Sequence, residues 1–271
     1  MAHLLTCFHT LADPDVLSEK EWTEGCAAGS VDFSYIRKAI NSFDESALEL
    51  ACRFRDLAED KDTFLSAVTI GDKTNETALR TLAALGFGRS VRIDARTESL
   101  TSESAADILT GWIKEQASKT DSSYPFDLII TGQRSGDWNQ AKMPMLIAGQ
   151  LGFKCFTNVT AFAPVDDKGA MITWLTDDAV CTAYVAYPAV LSVGDVSGAF
   201  LRVPTLRQRM DSKKQEIEIL TADPAGEADN GVRLIDMEAV TERREAVVID
   251  GTDADAASDS MLLFFTGWME E

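Results

Sequence analysis

Four short apolar runs, each followed by a stretch of helical periodicity, constrain this chain more than any other feature. Leu4–Phe8, Phe64–Ile70, Ser90–Ile93 and the run Phe126, Leu128, Ile129, Ile130 are short and nearly continuous in apolar residues, the mark of strands covered on both faces. Helical segments lie between them. The first opens at Asn41 or Ser42, with Glu45 three residues after Ser42 in capping-box spacing; Phe43, Ala47, Leu48, Leu50, Ala51 and Phe54 form its apolar face. The second starts at Thr74 or Asn75 and ends at Gly86 and Gly88. The third starts at Thr101 or Ser102, and the fourth spans Met143–Leu151. This alternation predicts an α/β fold with a doubly wound, mostly parallel sheet and helices on both faces.

After Gly152 the pattern changes. Cys155–Phe162, Ala170–Leu175 and Val180–Tyr187 are separated by short polar turns and predict an antiparallel addition. Pro188–Val193 reads as another buried strand, Thr205–Lys214 as a short basic helix and Glu216–Leu220 as a last strand. His9–Ser30 has no steady period and reads as a long loop. From residue 223 the composition shifts: Pro224–Asn230 is polar and acidic, as in a linker, and Asp253–Glu271 reads as a helix carrying Met261, Leu262, Leu263, Phe264, Phe265 and Trp268. The expected organisation is an α/β domain over residues 1–222 and an extended C-terminal arm over 223–271 that packs on a partner subunit.

Composition removes several function classes. The net charge of -19 argues against a nucleic-acid partner. Cys7, Cys26, Cys52, Cys155 and Cys181 are scattered and form no CxxC pair, which reads as free thiols in a reducing compartment. His3 and His9 alone make no metal cluster, and no run reaches the length of a membrane span. The N-terminus lacks the basic region and cleavage site of a signal peptide, so a cytoplasmic location is expected. Asp177-Asp178 and Asp253–Asp255 read as turns and a helix start, with no catalytic residue assigned.

Ligands of open α/β sheets bind beyond the carboxyl ends of the strands. The stretch after the fourth run fits that position: Gly132, Gln133, Arg134, Ser135, Gly136, Asp137, Trp138, Asn139, Gln140 and Ala141, leading into a helix. Its two glycines allow backbone N–H groups to approach an anion, Ser135, Asn139 and Gln140 add side-chain donors, and Arg134 or Lys142 can neutralise phosphate. The same residues also suit an ordinary strand-to-helix turn with Asp137 as helix cap. Cys7, Phe8 and His9, then Asn41, Ser42, Phe43 and Asp44, then Thr69 and Ile70 end or begin elements that would line the same crevice.

The order of motifs resembles the electron-transfer flavoprotein β subunit family. Asn41-Ser42-Phe43-Asp44-Glu45 is similar to the family's N-P-F-D-E helix start, and Ala67-Val68-Thr69-Ile70-Gly71 with Glu76, Ala78-Leu79-Arg80 and Ala83 to its second strand and helix. Asp127–Thr131 with Gly132, Asp137 and Gln140 resembles its nucleotide loop. Pro188–Ser192, then Arg202, Pro204, Leu206, Met210, Lys213-Lys214 and Ile217-Glu218, resemble its late strand and the run that follows. The likeness is collinear over nearly the whole chain. Departures mark a divergent branch: His9 stands where the family has lysine, Ser42 replaces a proline, Gln140-Ala141-Lys142 replaces Q-x-G, and Leu201 replaces a proline.

The resemblance implies an electron-carrying subunit, not an enzyme, paired with an α subunit in a heterodimer. FAD would sit mainly on the α subunit, with AMP or a second FAD in this chain. It further implies a flavin dehydrogenase partner, of acyl-CoA dehydrogenase type, docking on Asp195–Leu201 through Phe200 or Leu201. Two other readings stand beside it: an ATP-using enzyme of the adenine-nucleotide α-hydrolase type, and a nucleotide-sensing binding protein. The first expects an S-G-G-x-D-S loop, but His9-Thr10-Leu11-Ala12-Asp13 offers no glycine cradle. The second expects no apolar C-terminal arm.

Overall fold

The computed structural model describes residues 2–58, 63–95, 100–120, 124–136, 139–222, 235–238, 240 and 248–269. The chain divides into two compact units, Met1–Leu17 with Asp32–Arg233, and Ser18–Val31 with Leu234–Glu271. The linker expected at Pro224–Asn230 lies outside the described residues.

In chain order the elements are β1 (Ala2–Cys7), β2 (Thr10–Ala12), α1 (Glu19–Ala28), β3 (Lys38–Ile40), α2 (Ser42–Leu57), β4 (Thr63–Ile70), α3 (Glu76–Ala84), β5 (Arg89–Asp94), α4 (Ser102–Thr120), β6 (Leu128–Gly132) and α5 (Met143–Leu151). They continue with β7 (Lys154–Asp166), β8 (Gly169–Leu175), β9 (Val180–Ala186), β10 (Ala189–Val193), α6 (Leu206–Asp211), β11 (Ile217–Thr221) and α7 (Ala254–Met269). Among the described residues nine strands form one sheet in the order β11-β5-β4-β1-β6-β10-β7-β8-β9, and β2 pairs with β3 in a small antiparallel sheet. The large sheet is parallel from β11 to β7, and β7, β8 and β9 form the antiparallel addition.

The central parallel strands β5, β4, β1, β6 and β10 are largely buried on both faces, which is why most of them appear in the sequence as nearly unbroken apolar runs. One core joins Leu4, Phe8, Leu65, Leu128 and Ile130 to α2 and α3 through Leu48, Phe54, Leu79 and Leu82. The other joins Leu5, Val68, Val91 and Ile129 to α4 and α5 through Leu109, Trp112, Ile113 and Ile147. Strand β7 takes part in both halves of the sheet. Asn158 has φ +54, the pairing with β10 shifts register between Leu191 and Val193, and beyond this bulge β7 pairs with β8. Gly194 makes room for that bend, since a Cβ there would collide with the Asn158 amide.

Two expectations need correction. His9–Ser30 is not one loop: it contains β2, a 3-10 turn at Pro14–Val16 and α1. Helix α1 buries no residue, so it has no apolar stripe to read; its signal is a capping box in which Glu21 N–H donates to Ser18 and the Ser18 N–H donates to Glu21, closed by Gly29 at φ +71. The Ser42–Glu45 capping box is also absent. Asn41 occupies the N-cap position of α2 and makes no side-chain cap bond, because its amide is used elsewhere.

In the second unit, α7 exposes its apolar residues: Leu262 is 67% and Leu263 78% accessible. The Trp268 side chain lies outside the described residues. No helix among the described residues is long and apolar enough to cross a membrane.

Candidate functional site

The sheet grows from β1 first toward β4 and β5, then on the other side through β6 and β10. The strand order therefore reverses between β1 and β6, and their carboxyl ends, Cys7–His9 and Thr131–Gln133, flank the crevice where such sheets hold ligands. The N-terminus of α2 enters here. Asp44 is 6% exposed, and its carboxylate accepts three hydrogen bonds: Oδ2 from His9 N at 2.9 Å and from Asn41 Nδ2 at 3.1 Å, and Oδ1 from Gly132 N at 2.7 Å. One side chain thus ties the ends of two neighbouring strands across the switch point. Burial pushes the Asp44 carboxyl up to about 6, against the pull of the His9, Asn41 and Gly132 donors and of the His9 imidazole. Burial, with the Asp44 charge added, raises the Cys7 thiol well above its ordinary range, so Cys7 is an inert core residue.

Asn41 extends the tie into the following loop. Its Nδ2 donates to the Arg134 carbonyl at 2.7 Å, and its Oδ1 accepts from Gly136 N at 3.3 Å. The end of β4 is held in a similar way. Asn75 accepts from Thr10 Oγ1 at 2.9 Å and donates to Thr69 Oγ1 at 3.0 Å.

The structure brings Cys7–His9, Asn41–Asp44 and Gly132–Gly136 to one crevice, with Thr69 and Ile70 ending the adjacent strand. Several of these have structural duties. Phe8 packs in the α2 core, Thr69 is bound to Asn75, and Gln133 N donates to the Val193 carbonyl at 2.8 Å. Gly132 is required by proximity: a Cβ there would lie 2.5 Å from Asp44 Oδ1 and 2.8 Å from Phe43 Cβ. Ser42, Arg134, Asn139 and Gln140 are exposed, whereas Ser135 and Ala141 are half-buried. Gln140 accepts from Ser102 Oγ at 3.2 Å, and Lys142 pairs with Glu103 at 3.3 Å, so this end of the loop is linked to the start of α4. Asp137 and Trp138 lie outside the described residues.

Three features suit this end of the crevice to an anion. Helix α5 starts without a side-chain cap, leaving the first-turn N–H groups of Met143 and Met145 to a ligand or solvent, since Pro144 between them has none. Ala141 has φ +53 and Lys142 has φ -91, ψ -33, a left-then-right-handed pair that turns successive N–H groups toward one concavity. Thr131 and Ser192 are register partners on β6 and β10, on the sheet face that Cys7 shares with α5; both hydroxyls are buried and lack a hydrogen-bond partner. A left-handed alanine is strained. Ala141→Gly is therefore expected to raise the stability of the first unit by about 0.5–1 kcal/mol in denaturant unfolding.

A second polar cluster lies on the same helix. Glu49, 5% exposed in the middle of α2, receives a fork from Arg202, with Nε to Oε2 and Nη2 to Oε1 both at 3.0 Å, and a third bond from Arg53 Nε at 3.0 Å. Arg53 Nη2 donates to the Gly198 carbonyl at 2.7 Å. Burial pushes Glu49 up, but the hydrogen bonds from Arg202 and Arg53 outweigh it and hold the carboxyl below its ordinary value. These bonds clamp the segment after β10 onto α2. Ala199 is 2% exposed beneath it, Val196 and Leu201 pack against the core, and Phe200 stands out at 80% exposure.

Sequence reasoning read Asn75 only as a helix start and Ser192 only as part of a strand, and it did not single out Glu49 or the hydroxyl of Thr131. An Asn after the Gly71-Asp72 turn is a weak signal, and the other groups become notable only when distant strands are brought together.

A family model described as electron transfer flavoprotein domain matches residues 30–225. A putative electron transfer flavoprotein subunit of Escherichia coli K12, YgcR, is 30% identical over 255 residues, covering 92% of each chain. The electron transfer flavoprotein subunit beta of Dictyostelium discoideum is 25% identical over 224 residues, 82% of this chain and 84% of that one. A probable electron transfer flavoprotein subunit beta of Schizosaccharomyces pombe is 22% identical over 225 residues, 83% of this chain and 85% of that one.

Proposed function

The chain belongs to the electron transfer flavoprotein domain family, and from that membership we propose that it is a β-type subunit that binds an adenine nucleotide, AMP or FAD, in the β1/β6 crevice. With an α-type subunit it carries electrons between a flavin dehydrogenase and other redox partners. The reading rests chiefly on one observation: beside the β1/β6 switch point, helix α5 starts without a side-chain cap, just after the left-handed Ala141. Backbone N–H groups left open at a helix start suit an anion such as a phosphate.

FAD held mainly by the α-type subunit supplies the redox chemistry. This chain binds and orients. The turn through Ala141 and Lys142 receives phosphate oxygens, the ends of β1 and β4 line the adenine side, and the clamped segment presents Phe200 to a dehydrogenase. Residues from Asp253 onward cover the partner subunit with the apolar side chains of α7.

Co-expression with the neighbouring α-type subunit and extraction of bound nucleotide tests the reading. A yellow complex containing flavin is expected, with AMP or a second FAD recovered per heterodimer. A colourless complex with neither flavin nor adenine nucleotide would overturn it.

A further inference from the structure

The loop after β6 needs a fixed shape if it is to hold a ligand, and its own sequence does not supply one. Among its described residues it is polar and largely exposed, with left-handed backbone at Asn139 and Ala141. Its position is imposed by two side chains of α2 and its N-cap. Asp44 holds Gly132 N and His9 N, N–H groups at the carboxyl ends of β6 and β1. Asn41, itself bonded to Asp44, holds the Arg134 carbonyl and Gly136 N. The pin is close-fitting, since no side chain fits at Gly132 while Asp44 is in place.

We propose that Asp44 is a positioning residue: it does not touch the nucleotide but ties β1 to β6 and, through Asn41, sets the loop that receives the phosphates. This rests on the nucleotide-binding reading above. The carboxylate already takes the N–H groups of His9 and Gly132, so an anion in the crevice is served by N–H groups farther along, toward the start of α5. Protonation of Asp44 removes acceptor capacity from a group with three donors, and the pin loosens. Among the described residues, the titratable groups that act on it are His9 and Cys7, both just at or after the end of β1. On the fold itself the sign is opposite. A folded pKa raised above the unfolded value makes this group's contribution to stability greatest below the unfolded value, and that contribution is lost as pH rises through about 6. A purely structural role would therefore improve on the acid side, whereas the positioning role fails there.

Two measurements on the full chain, in wild type and Asp44→Asn, test the proposal. The amide that replaces the carboxylate cannot accept from both strand ends, because one of its two positions becomes a donor. In amide hydrogen exchange, His9, Gly132 and Gly136 are expected to exchange faster in the variant while β5 and β11 stay unchanged. In calorimetric titration with AMP across pH 5 to 8, the variant is expected to bind about tenfold more weakly at neutral pH. Wild type should also show an acid loss of affinity beyond that of the variant, which retains every titratable group of the site except Asp44. Unchanged exchange at the three amides, or identical pH profiles for wild type and variant, would overturn the proposal. If wild type binds no AMP, the nucleotide reading fails separately, and the exchange experiment still decides whether Asp44 positions the loop.

Discussion

Gly132→Val is expected to destabilise the first unit by about 3 kcal/mol or more, combining overpacking with the loss of buried hydrogen bonds. The added Cβ would sit 2.9 Å from Asp44 N as well as against Asp44 Oδ1 and Phe43 Cβ. The helix start and the strand end cannot both stay where they are. Separating them breaks the Gly132–Asp44 bond and loosens the carboxylate's bond to His9 N–H, leaving buried donors without acceptors. Chemical denaturation should show the loss as a lower midpoint, and nucleotide extraction should show depletion. A variant with wild-type midpoint and wild-type nucleotide content would remove this contact from the site. The position is not a flexible hinge. Its φ is unexceptional, and glycine is required there only because another backbone and a carboxylate approach so closely.

The second large effect is expected at Glu49→Ala, with a loss of about 3 kcal/mol. Truncation leaves Arg202 and Arg53 without the carboxylate they share, and the Arg202 N–H, at 3.2 Å from Glu49 Oε2, loses its acceptor too. Arg202 keeps Asp56 as a partner, which limits the damage on its exposed side. Because the folded Glu49 carboxyl lies below its ordinary value, its contribution is present at neutral pH and is lost as pH falls through and below the usual glutamate range. The midpoint difference between wild type and Glu49→Ala should therefore shrink in acid. A constant difference from about pH 7 down to about pH 3, a span that passes below the usual glutamate pKa, would show that the effect is packing, not charge. On the proposed function, loss of the clamp should also weaken binding of a dehydrogenase partner, since Phe200 would then be ordered only at the moment of binding.

The parallel core was readable because its physics is local. A strand buried on both faces must be apolar along its length, so Leu4–Phe8 and Phe64–Ile70 announced themselves. The antiparallel addition was equally plain from its turns. Helix α1 was missed because periodicity detects burial and α1 buries nothing; only Ser18, Glu21 and Gly29 marked it. The crevice could be located from topology, but the duties of its residues were not visible. Asn41 and Asp44 read as helix-start residues, yet their decisive partners lie 93 and 88 positions away at Arg134 and Gly132. Arg202 reaches Glu49 across 153 positions. Sequence spacing reports neighbours along the chain, and a tie between separate strands leaves no periodic trace.

Helix α2 carries the crevice ties at its first turn and the docking clamp from Glu49 to Arg53. At about 1.5 Å per residue, Asp44 and Arg53 stand about 14 Å apart along its axis. On the proposed function, the helix works as a ruler between a nucleotide in the crevice and a partner seated on Phe200. Inserting or deleting one residue in α2 would change that spacing by about 1.5 Å and rotate one end by about 100° against the other. If the chain is a carrier whose partner stops at a set distance and angle, as proposed above, the length of α2 becomes a functional quantity in its own right.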